Sequence, residues 1–570
     1  MSGSGSTTRT APPISGKAIW SLVLGIASVV LVFGCGLLTG IPAVVLGFSA
    51  KRDVALSGGA ERGRGIAIAG IVTGVVGMLV SALFLLAVGA GIWSSHDDSA
   101  APPWKPPTAS THIDKRDLKP FYTQQVRWSD CGGGKCARVK VPVDYEKPKG
   151  QTLRLAVKVI PSTGAGGHSL FLNPGGPGAS GFELADYLAT KISPEVRKQY
   201  DLVNVDPRGV GDSEPIDCLS DRAFETWAAG DPDPDTPEEV AEFRADTRRF
   251  GKGCLKRSGK LAAHVSTEEV ARDFDVLRAL FGREKLDWFG FSYGTQIGAT
   301  YATLFPNRVG RMVLDGPVDS SLSTIDASLA QAVGFQDALD AYVRSCTSAM
   351  WCPLGRDETK GGRKIVSFLA RVDQHPLRTD DGSRRLTEGL AFYGIVKPLY
   401  SEATWPTLTQ ALDAAFDGDG SVLMRLADSY FQDANGEAFR VVSCLDQRDV
   451  VTPEDVEEAE PRFRKASPAF GPALAWGTLG CTDWPVKPDH PQIDIYPHTK
   501  APILIVGATR DPATPYAGAK ALAQQIPSSV LLTRRGGGHT SYASGDTCID
   551  AAVNAYLIAG TMPAKGTVCR

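Results

Sequence analysis

Apolar residues along this chain follow two different spacings. Short apolar runs of strand length alternate with stretches of helical spacing, and the runs lie near 152–161, 169–172, 201–205, 285–289, 310–314, 501–507 and 529–533. This alternation predicts an α/β fold with a mostly parallel, doubly wound sheet, whose functional loops follow the carboxyl ends of the strands. One helix is predicted over 266–281, because it opens with the capping-box sequence Ser266-Thr-Glu-Glu269 and places Val270 and Phe274 on one face.

The strand pattern stops between Asp315 and Ala501, where helical stretches rich in Ala, Leu and acidic residues take over. We interpret 318–497 as a mainly helical cap domain inserted into the catalytic domain, which then comprises 120–317 and 498–570. Loops and insertions around a rigid scaffold commonly carry specificity. The cap is therefore expected to select the substrate.

The N-terminal part differs from the rest in composition. Residues 18–50 contain no charged residue, and 65–93 form a second uncharged apolar run. Each run exceeds the ~20 residues of a membrane helix, so two transmembrane helices are predicted over 18–93, after a tail at 1–17. A glycine-rich break at 34–42 leaves a third crossing open. A cleaved signal peptide fits less well, because its apolar region has about 7–15 residues.

Charges near these runs predict their orientation. The connecting loop carries four basic residues, whereas the segment after the second run begins Ser94-Ser-His-Asp-Asp98. The loop is thus expected in the cytoplasm, which places the catalytic domain outside the cell membrane. Arg9 and Lys17 in the tail argue mildly the other way. A proline-rich linker at 94–119 joins the two parts.

Cysteine usage favours an extracytoplasmic catalytic domain. Cys35 lies in the first apolar run, and the remaining ten cysteines are an even set: Cys131, Cys136, Cys218, Cys254, Cys346, Cys352, Cys444, Cys481, Cys548 and Cys569. An even set in an external domain suggests disulfides, and pairing of neighbours in order is the simplest hypothesis, although sequence alone leaves the connectivity open. Metal binding is the alternative, but no C-x-x-C occurs and the histidines are scattered.

The segment Gly290-Phe-Ser-Tyr-Gly294 is a G-x-S-x-G that lies between a strand-like run and a plausible helix. This is the pattern of a nucleophile elbow, in which glycines on either side of a strained serine let strand and helix approach closely. The pattern by itself is weak, since the chain has 61 glycines. Ser292 is the predicted nucleophile, and its partners must be sought elsewhere.

Two residues downstream complete the order Ser, Asp, His. Asp511 follows the predicted strand at 501–507, and His539 follows the last predicted strand in a glycine-rich turn. This order matches hydrolases that carry the nucleophile on an elbow. Asp315, after another predicted strand, is the competing acid. We prefer Asp511, because Asp315 lies at the entry to the inserted segment.

The turn Asn173-Pro-Gly-Gly-Pro-Gly178 follows the predicted strand at 169–172. Its amides could face a developing negative charge, and we predict the N–H groups of Gly176 and Tyr293 as the oxyanion hole. An ordinary tight turn is one alternative. A phosphate-binding loop is another, which the absence of a following G-K-[ST] disfavours. Arg208, in a loop farther along, is expected to be a structural ion-pair partner.

Together these motifs resemble those of a known family. Residues 173–178, 206–213 and 290–295, with Asp511 and His539, look like the α/β-hydrolase-fold tripeptidyl aminopeptidases of bacteria, relatives of the proline iminopeptidases. The resemblance covers about residues 120–570. Pro174 replaces the histidine that opens the oxyanion turn of proline iminopeptidases, which favours the tripeptidyl branch. The two N-terminal apolar runs resemble a small bacterial two-span membrane module of unknown function.

The resemblance implies a membrane-anchored, extracytoplasmic serine exopeptidase that releases short peptides, tripeptides in this family, from polypeptide N-termini. Ser292 would attack the scissile carbonyl, His539 would transfer the proton and Asp511 would hold the imidazole, so no metal or organic cofactor is required. An exopeptidase must also bind a free α-amino group. Asp446 in the cap is the candidate carboxylate, because the adjacent Cys444 can anchor it.

Two other functions stay open at this point. A carboxylesterase uses the same acyl-transfer chemistry, and only the cap distinguishes it from a peptidase. A non-catalytic binding module on a hydrolase scaffold is the alternative from another class, against which the retained Ser, His and Asp argue. The acidic run at 454–460 is interpreted as a solvated helix face. A net charge of −3 gives no reason to expect nucleic acid as a partner.

Overall fold

The computed structural model describes residues 14–30, 36–56, 63–94, 104–107, 116–164, 166–486 and 493–570. The chain divides into two compact units, Met1–Ala101 and Pro102–Arg570. The catalytic residues predicted from the sequence all lie in the second unit.

Helices α1 (Gly16–Val30), α2 (Gly36–Leu56) and α3 (Arg64–Ser94) make up the described part of the first unit. They approach closely at glycines: a Cβ on Gly70 would lie 2.2 Å from the hydroxyl oxygen of Ser21 in α1. Within the residues described, no helix combines the length and the apolar character needed to cross a membrane. The two membrane spans predicted over 18–93 are therefore not supported. Helix α1 has only 15 residues, and α2 carries Lys51, Arg52 and Asp53 near its end.

The second unit is built on a ten-stranded sheet. Its strands are β1 (Ser129–Cys131), β2 (Gly134–Pro142), β3 (Thr152–Ile160), β4 (His168–Asn173), β5 (Tyr200–Val205), β6 (Leu286–Phe291), β7 (Val309–Asp315), β10 (Ile503–Arg510), β11 (Ser529–Gly537) and β12 (Val568–Cys569). Strands β8 (Leu377–Arg378) and β9 (Arg385–Leu386) form a separate hairpin. The sheet order is β1-β2-β3-β5-β4-β6-β7-β10-β11-β12. Strands β1, β2, β3 and β5 pair antiparallel, and the pairs from β5 to β12 are parallel.

All seven predicted strands are present, as β3 to β7, β10 and β11. The pattern missed β1, β2 and β12. Pairing brings the ends of the central strands to one edge: Asn173 lies opposite Gly290, and Phe291 lies opposite Asp315. The loops that follow β4, β6 and β7 therefore begin side by side.

Helices cover both faces of the sheet. They are α4 (Lys119–Tyr122), α5 (Gly181–Lys191), α6 (Pro194–Gln199), α7 (Asp221–Ala228), α8 (Pro237–Arg257), α9 (Thr267–Leu280), α10 (Tyr293–Leu304), α19 (Tyr516–Gln525) and α20 (Thr547–Ala559). One core packs α9, α10 and α19 against the sheet through side chains such as Phe274, Trp288 and Leu522. The other packs α5, α6 and α20, with Leu188 and Val553.

Helix α9 begins at the predicted position, and residues at its N-terminus take part in a network of hydrogen bonds and ion pairs. The Ser266 hydroxyl accepts a hydrogen bond from the N–H of Glu269, whereas the Glu269 carboxylate binds Nδ1 of His264 at 2.8 Å. Arg208, fully buried, pairs with Asp273 at 2.7 Å and donates to the Val143 carbonyl at 2.8 Å. The predicted structural role of Arg208 is thereby confirmed: it ties α9 to the end of β2.

Between β7 and β10 the described residues form eight α-helices, most of which pack around a hydrophobic core separate from those of the sheet. They are α11 (Thr324–Ser348), α12 (Glu358–Gln374), α13 (Glu388–Leu399), α14 (Trp405–Phe416), α15 (Ser421–Ala434), α16 (Gly436–Asp446), α17 (Pro453–Ala466) and α18 (Gly471–Gly477). They lie within the predicted cap, whose limits as a separate domain stay a prediction. The acidic run at 454–460 lies on α17, where Glu454, Glu457 and Glu458 are exposed and Val456 is buried.

Five disulfides join the ten cysteines, each to its neighbour in sequence: Cys131–Cys136, Cys218–Cys254, Cys346–Cys352, Cys444–Cys481 and Cys548–Cys569. The predicted order is therefore confirmed. Part of the predicted linker lies on the catalytic unit, because the Trp104 ring packs 5.2 Å from that of Trp128 and its N–H donates to Asp201.

Candidate active site

Ser292 occupies a sharp turn between β6 and α10, with φ +52° and ψ −125°. Residues other than glycine rarely adopt this backbone conformation, so contacts with the surrounding structure must hold Ser292 in it. The Ser292 N–H donates to the Asp315 carbonyl at 2.9 Å. A Cβ on Gly290 would lie 2.2 Å from the carbonyl oxygen of Gly294. The predicted elbow glycine is thus required by the close approach of strand and helix.

The turn after β4 packs directly on this elbow. Gly175 has φ +101°, and a Cβ there would lie 2.6 Å from the Phe291 carbonyl oxygen and 2.9 Å from Cβ of Ser292. Its N–H donates to the Asn173 side chain at 3.0 Å. In contrast, no acceptor is found within the described parts of the chain for the N–H groups of Gly176 and Tyr293. Both are free to donate to a bound group.

His539 and Asp511 are in direct contact. Nδ1 of His539 lies 2.8 Å and 3.1 Å from the two carboxylate oxygens of Asp511. Asp511 is buried and also accepts hydrogen bonds from the N–H groups of Ala513 and Thr514, at 3.0 and 2.9 Å. Because an ionised carboxylate only accepts, Nδ1 carries the proton and Nε2 is left as the basic nitrogen.

Asp315, the competing acid, has a different position. Its fully buried carboxylate accepts from the N–H groups of Ser541 and Tyr542, at 2.9 and 2.8 Å. These hydrogen bonds fix the loop that follows His539. Asp511, and not Asp315, is the carboxylate bonded to the imidazole.

Burial by itself lowers the pKa of His539. The opposing effects are larger, because the charge of Asp511, the hydrogen bond from His539 to Asp511 and the charge of Asp315 raise that pKa above the ordinary value of 6.5. Burial also raises the pKa of Asp315, to about 6, against the effect of its backbone hydrogen bonds. The imidazole is thus a stronger base than an isolated histidine.

A cavity of about 1600 Å³ is lined by five of the six predicted site residues, all except the buried Asp511. Its wall includes Ser292, His539, Gly176, Tyr293 and Asp446. Residues of α7, α8, α11, α13, α15, α16 and α18 also line it, together with loop residues, so the cavity lies between the sheet edge and the helical insertion. The contribution of α7 and α8, which precede the predicted cap, was not foreseen from the sequence.

Asp446 lies at the end of α16 and is tied to the catalytic core. Its carboxylate accepts from the N–H of Thr267 at 3.0 Å and from the Thr267 hydroxyl. That hydroxyl in turn lies within hydrogen-bond distance of the Tyr293 hydroxyl. Burial raises the pKa of Asp446 to about 7, although the Thr267 hydrogen bonds lower it. A carboxylate offers about four acceptor positions, so Asp446 can still bind a ligand cation.

Two neighbours of the histidine were missed by sequence reasoning. The Thr514 hydroxyl lies 3.4 Å from Nδ1 of His539. The Tyr400 carbonyl, in the insertion, accepts from the His539 N–H at 2.8 Å, and the Tyr400 ring packs 5.3 Å from the imidazole. Thr514 follows Asp511 by three residues, a signal that could have been noticed. Tyr400 has no local signal, because only folding brings it near.

Two groups of side chains have metal-ligand chemistry within the described residues. Asp546, Cys548 and Cys569 form one group, but both cysteines are in a disulfide. Asp231, Asp373 and Glu388 form the other, a set of carboxylates in the helical insertion and the loop before α8. Neither group includes a residue of the predicted catalytic site.

The fold and the site define a serine hydrolase of the α/β-hydrolase fold. Residues 169–395 match the α/β-hydrolase fold family, residues 467–569 match the TAP-like protein family, and residues 17–84 match a domain of unknown function (DUF4190).

Curated relatives support the same class. The chain is 38% identical over 484 residues to Serine protease Hip1 of Mycobacterium tuberculosis, covering 80% of this chain and 92% of that protein. It is 33% identical over 471 residues to Tripeptidyl aminopeptidase of Streptomyces lividans, covering 78% and 86%. It is also 33% identical over 495 residues to Carboxylesterase B of Mycobacterium tuberculosis, covering 82% and 95%. The chain belongs to this family of α/β-hydrolase-fold serine hydrolases with a TAP-like C-terminal region.

Gly175→Ala is expected to disrupt the elbow. The new Cβ would overlap the backbone at Phe291 and displace Ser292, so labelling by a serine-reactive fluorophosphonate should slow by at least about tenfold, since 1.4 kcal/mol of strain already has that effect. Gly418→Ala is the matched control, because Gly418 has φ +95° but no atom within 4 Å of the added Cβ. Equal labelling of both variants would show that Gly175 does not support the elbow.

Proposed function

We propose that this protein is an extracytoplasmic serine exopeptidase that removes short peptides, preferably tripeptides, from polypeptide N-termini. The observation that carries the proposal is the strained Ser292 on the same cavity wall as His539, whose imidazole is held by Asp511. Two relatives named a serine protease and a tripeptidyl aminopeptidase support the choice of peptide substrates.

In the proposed reaction, the Ser292 hydroxyl attacks the scissile carbonyl carbon while Nε2 of His539 takes the hydroxyl proton. Asp511 keeps the proton on Nδ1 and stabilises the imidazolium that forms. The N–H groups of Gly176 and Tyr293 donate to the developing oxyanion. His539 then gives its proton to the leaving amine, and water hydrolyses the acyl-enzyme by the same steps in reverse.

The helices around the cavity support exopeptidase action. Helices on several sides leave room for a short segment of chain, and three extended residues span only about 10 Å. Asp446 lies on the cavity wall and is our candidate to bind the free α-amino group. An ammonium ion close to a carboxylate favours the ionised form, so a bound amine would lower the pKa of Asp446 from its raised value.

Carboxylester hydrolysis is the second candidate function. The relative named Carboxylesterase B supports it, and its identity to this chain equals that of the aminopeptidase. The acyl-transfer residues serve both reactions equally. A non-catalytic binding module is disfavoured, because such a module has no need for a strained serine beside a histidine–aspartate pair.

The nucleophile and base are expected to act as a unit. Ser292→Ala and His539→Ala should each lower kcat by about 10⁵-fold to 10⁶-fold, with the double variant little worse than either. Kinetics on a tripeptide amide and fluorophosphonate labelling test this. Near-normal turnover by folded Ser292→Ala would refute the assignment.

The same pair predicts the pH dependence. Because His539 must be neutral to accept a proton and its pKa is raised, kcat/KM should rise with pH through a value above 6.5. Asp511→Asn removes the charge that raises this pKa. The rise of kcat/KM with pH should therefore move to lower pH, while kcat falls about 10⁴-fold. Asp326→Asn, an exposed carboxylate on the same cavity wall, is the control and should change neither.

Amine recognition distinguishes the peptidase from the esterase. N-acetylation of a tripeptide amide should lower kcat/KM by at least about tenfold, because a desolvated charge pair contributes ~2–5 kcal/mol. Asp446→Asn should reduce the ratio of kcat/KM for the free-amine substrate to kcat/KM for the acetylated one. This holds even if loss of the hydrogen bonds that connect Asp446 with Tyr293 lowers both values. The exposed cavity residue Glu242 provides the control variant Glu242→Gln. Equal cleavage of both substrates by the unaltered enzyme would favour the esterase. If Asp446→Asn leaves the ratio of the two kcat/KM values unchanged, another carboxylate binds the amine.

An extracytoplasmic location is proposed from the five disulfides, since such bonds persist in oxidising compartments. In protein from producing cells, denatured without reductant, the ten paired cysteines should resist alkylation and Cys35 should react. Protease added to intact cells should also reach the catalytic unit. Free thiols at most of the ten positions, or full protection in intact cells, would place the unit inside.

A further inference from the structure

The cavity contains a guanidinium group without an acidic partner. Arg440 lies on α16 and contributes to the cavity wall. Among the described residues, no carboxylate lies within ion-pair distance of it. Two other arginines on the wall are paired, Arg384 with Asp428 at 2.8 Å and Arg448 with Asp494 at 2.9 Å, whereas Arg222 and Arg385 are exposed to solvent. Within the described part of the chain, the charge of Arg440 is therefore not used in an ion pair.

Contacts hold the Arg440 side chain in place. Its guanidinium carbon lies 5.5 Å from the centre of the Trp227 ring, in a cation–π contact. Nη1 lies against Gly480, where a Cβ would come within 1.5 Å of it. The Cys444–Cys481 disulfide joins α16 to the segment that contains this glycine. Residue 480 must therefore lack a side chain for Arg440 to keep this position.

Arg440 is half-buried on the cavity wall, where an acidic partner would stabilise its charge. Burial lowers the pKa of Arg440, and only the Tyr393 phenol raises it in part. A charge removed from water is stable in a protein when it is paired and hydrogen-bonded. Since the described residues supply no acidic partner, a ligand in the cavity can supply one. Guanidinium groups bind carboxylates through two parallel hydrogen bonds, and carboxylates are the anions that peptides carry.

Aromatic rings connect Arg440 with the catalytic histidine. Tyr400 packs against His539. Its ring lies 6.4 Å from that of Tyr430, which lies 4.8 Å from that of Tyr393, the phenol next to Arg440. All of these side chains line the cavity. A peptide bound at Ser292 can thus extend along this wall, at about 3.3–3.6 Å per residue, toward the guanidinium.

We propose that Arg440 binds a carboxylate of the substrate and makes the enzyme selective for acidic peptides. The anion is either an Asp or Glu side chain within the N-terminal segment or the C-terminal carboxylate of a short peptide. The proposal rests on the proposed peptidase function. Residues 440 and 446 are about 9 Å apart along the axis of α16. One helix thus offers a cation for the carboxylate and, in Asp446, an anion for the amine.

The test compares matched peptides. Tripeptide amides of alanine, each with Glu or Gln at one of the three positions, separate a side-chain carboxylate from its neutral isostere. Trialanine as free acid or amide tests the C-terminal carboxylate. We expect a preference of about tenfold or more in kcat/KM for the charged member of at least one pair, the effect of one charge-assisted hydrogen bond. Arg440→Gln should remove this preference and leave the neutral peptides within about threefold.

Two further variants control for charge and folding. Arg440→Lys should keep part of the preference, because it retains the charge without the planar fork. Arg385→Gln removes an exposed arginine from the cavity wall and should leave the preference intact. Thermal unfolding confirms that each variant is folded. Should Arg440→Gln not fold, the comparison rests on Arg440→Lys.

A binding measurement separates this proposal from the proposed function. Calorimetric titration of Ser292→Ala with the same peptides reports affinity without turnover. If no peptide is cleaved by the unaltered enzyme, the peptidase proposal fails, while a charge preference in binding still supports the role of Arg440. Equal affinity within every pair, or a preference that persists in Ser292→Ala combined with Arg440→Gln, would overturn the role of Arg440.

Discussion

The site depends on the backbone and carboxylate of one buried residue at the end of β7. The Asp315 carbonyl accepts the N–H of Ser292, and its carboxylate accepts the N–H groups of Ser541 and Tyr542. The strained serine and the loop that follows His539 are thus fixed to the same strand. A φ of +52° persists only where several such contacts determine it. Glycines at 175 and 290 then permit the close packing that keeps the elbow in place.

The helical insertion supplies part of the site as well as its enclosure. The Tyr400 carbonyl holds the His539 N–H, and Asp446 binds Thr267, which contacts the hydroxyl of Tyr293. The helical insertion, which we expect to select the substrate, therefore also helps to place the reacting groups. A substitution on α16 or at the end of α13 that is designed to change specificity should be measured for its effect on kcat as well as on KM. Tyr400 is hydrogen-bonded to His539, and Asp446 is connected with Tyr293 through Thr267.

Much of the catalytic unit could be predicted because parallel strands leave strong local patterns. Seven apolar runs became strands, and Ser292, Asp511 and His539 each follow one of them. Strand β2 was missed because its buried and exposed residues alternate, with Arg138 and Lys140 exposed in the strand next to the short edge strand β1. Apolar length alone predicted two membrane spans, which the described helices do not support. Neighbouring cysteines paired as expected, since each pair lies within 37 residues and the shortest closures cost least entropy.

The sequence by itself determined the order of the central strands, the elbow at Ser292 and the positions of the candidate acids and His539 after strands, because each follows from spacing along the chain. Only the tertiary structure decided which carboxylate contacts the imidazole and that Tyr400 holds its loop. It also showed that Gly175 packs on the serine and that Arg440 has no acidic partner among the described residues. These facts depend on contacts between residues far apart in sequence. Such contacts form only when the sheet and the insertion pack together, and local periodicity carries no record of them.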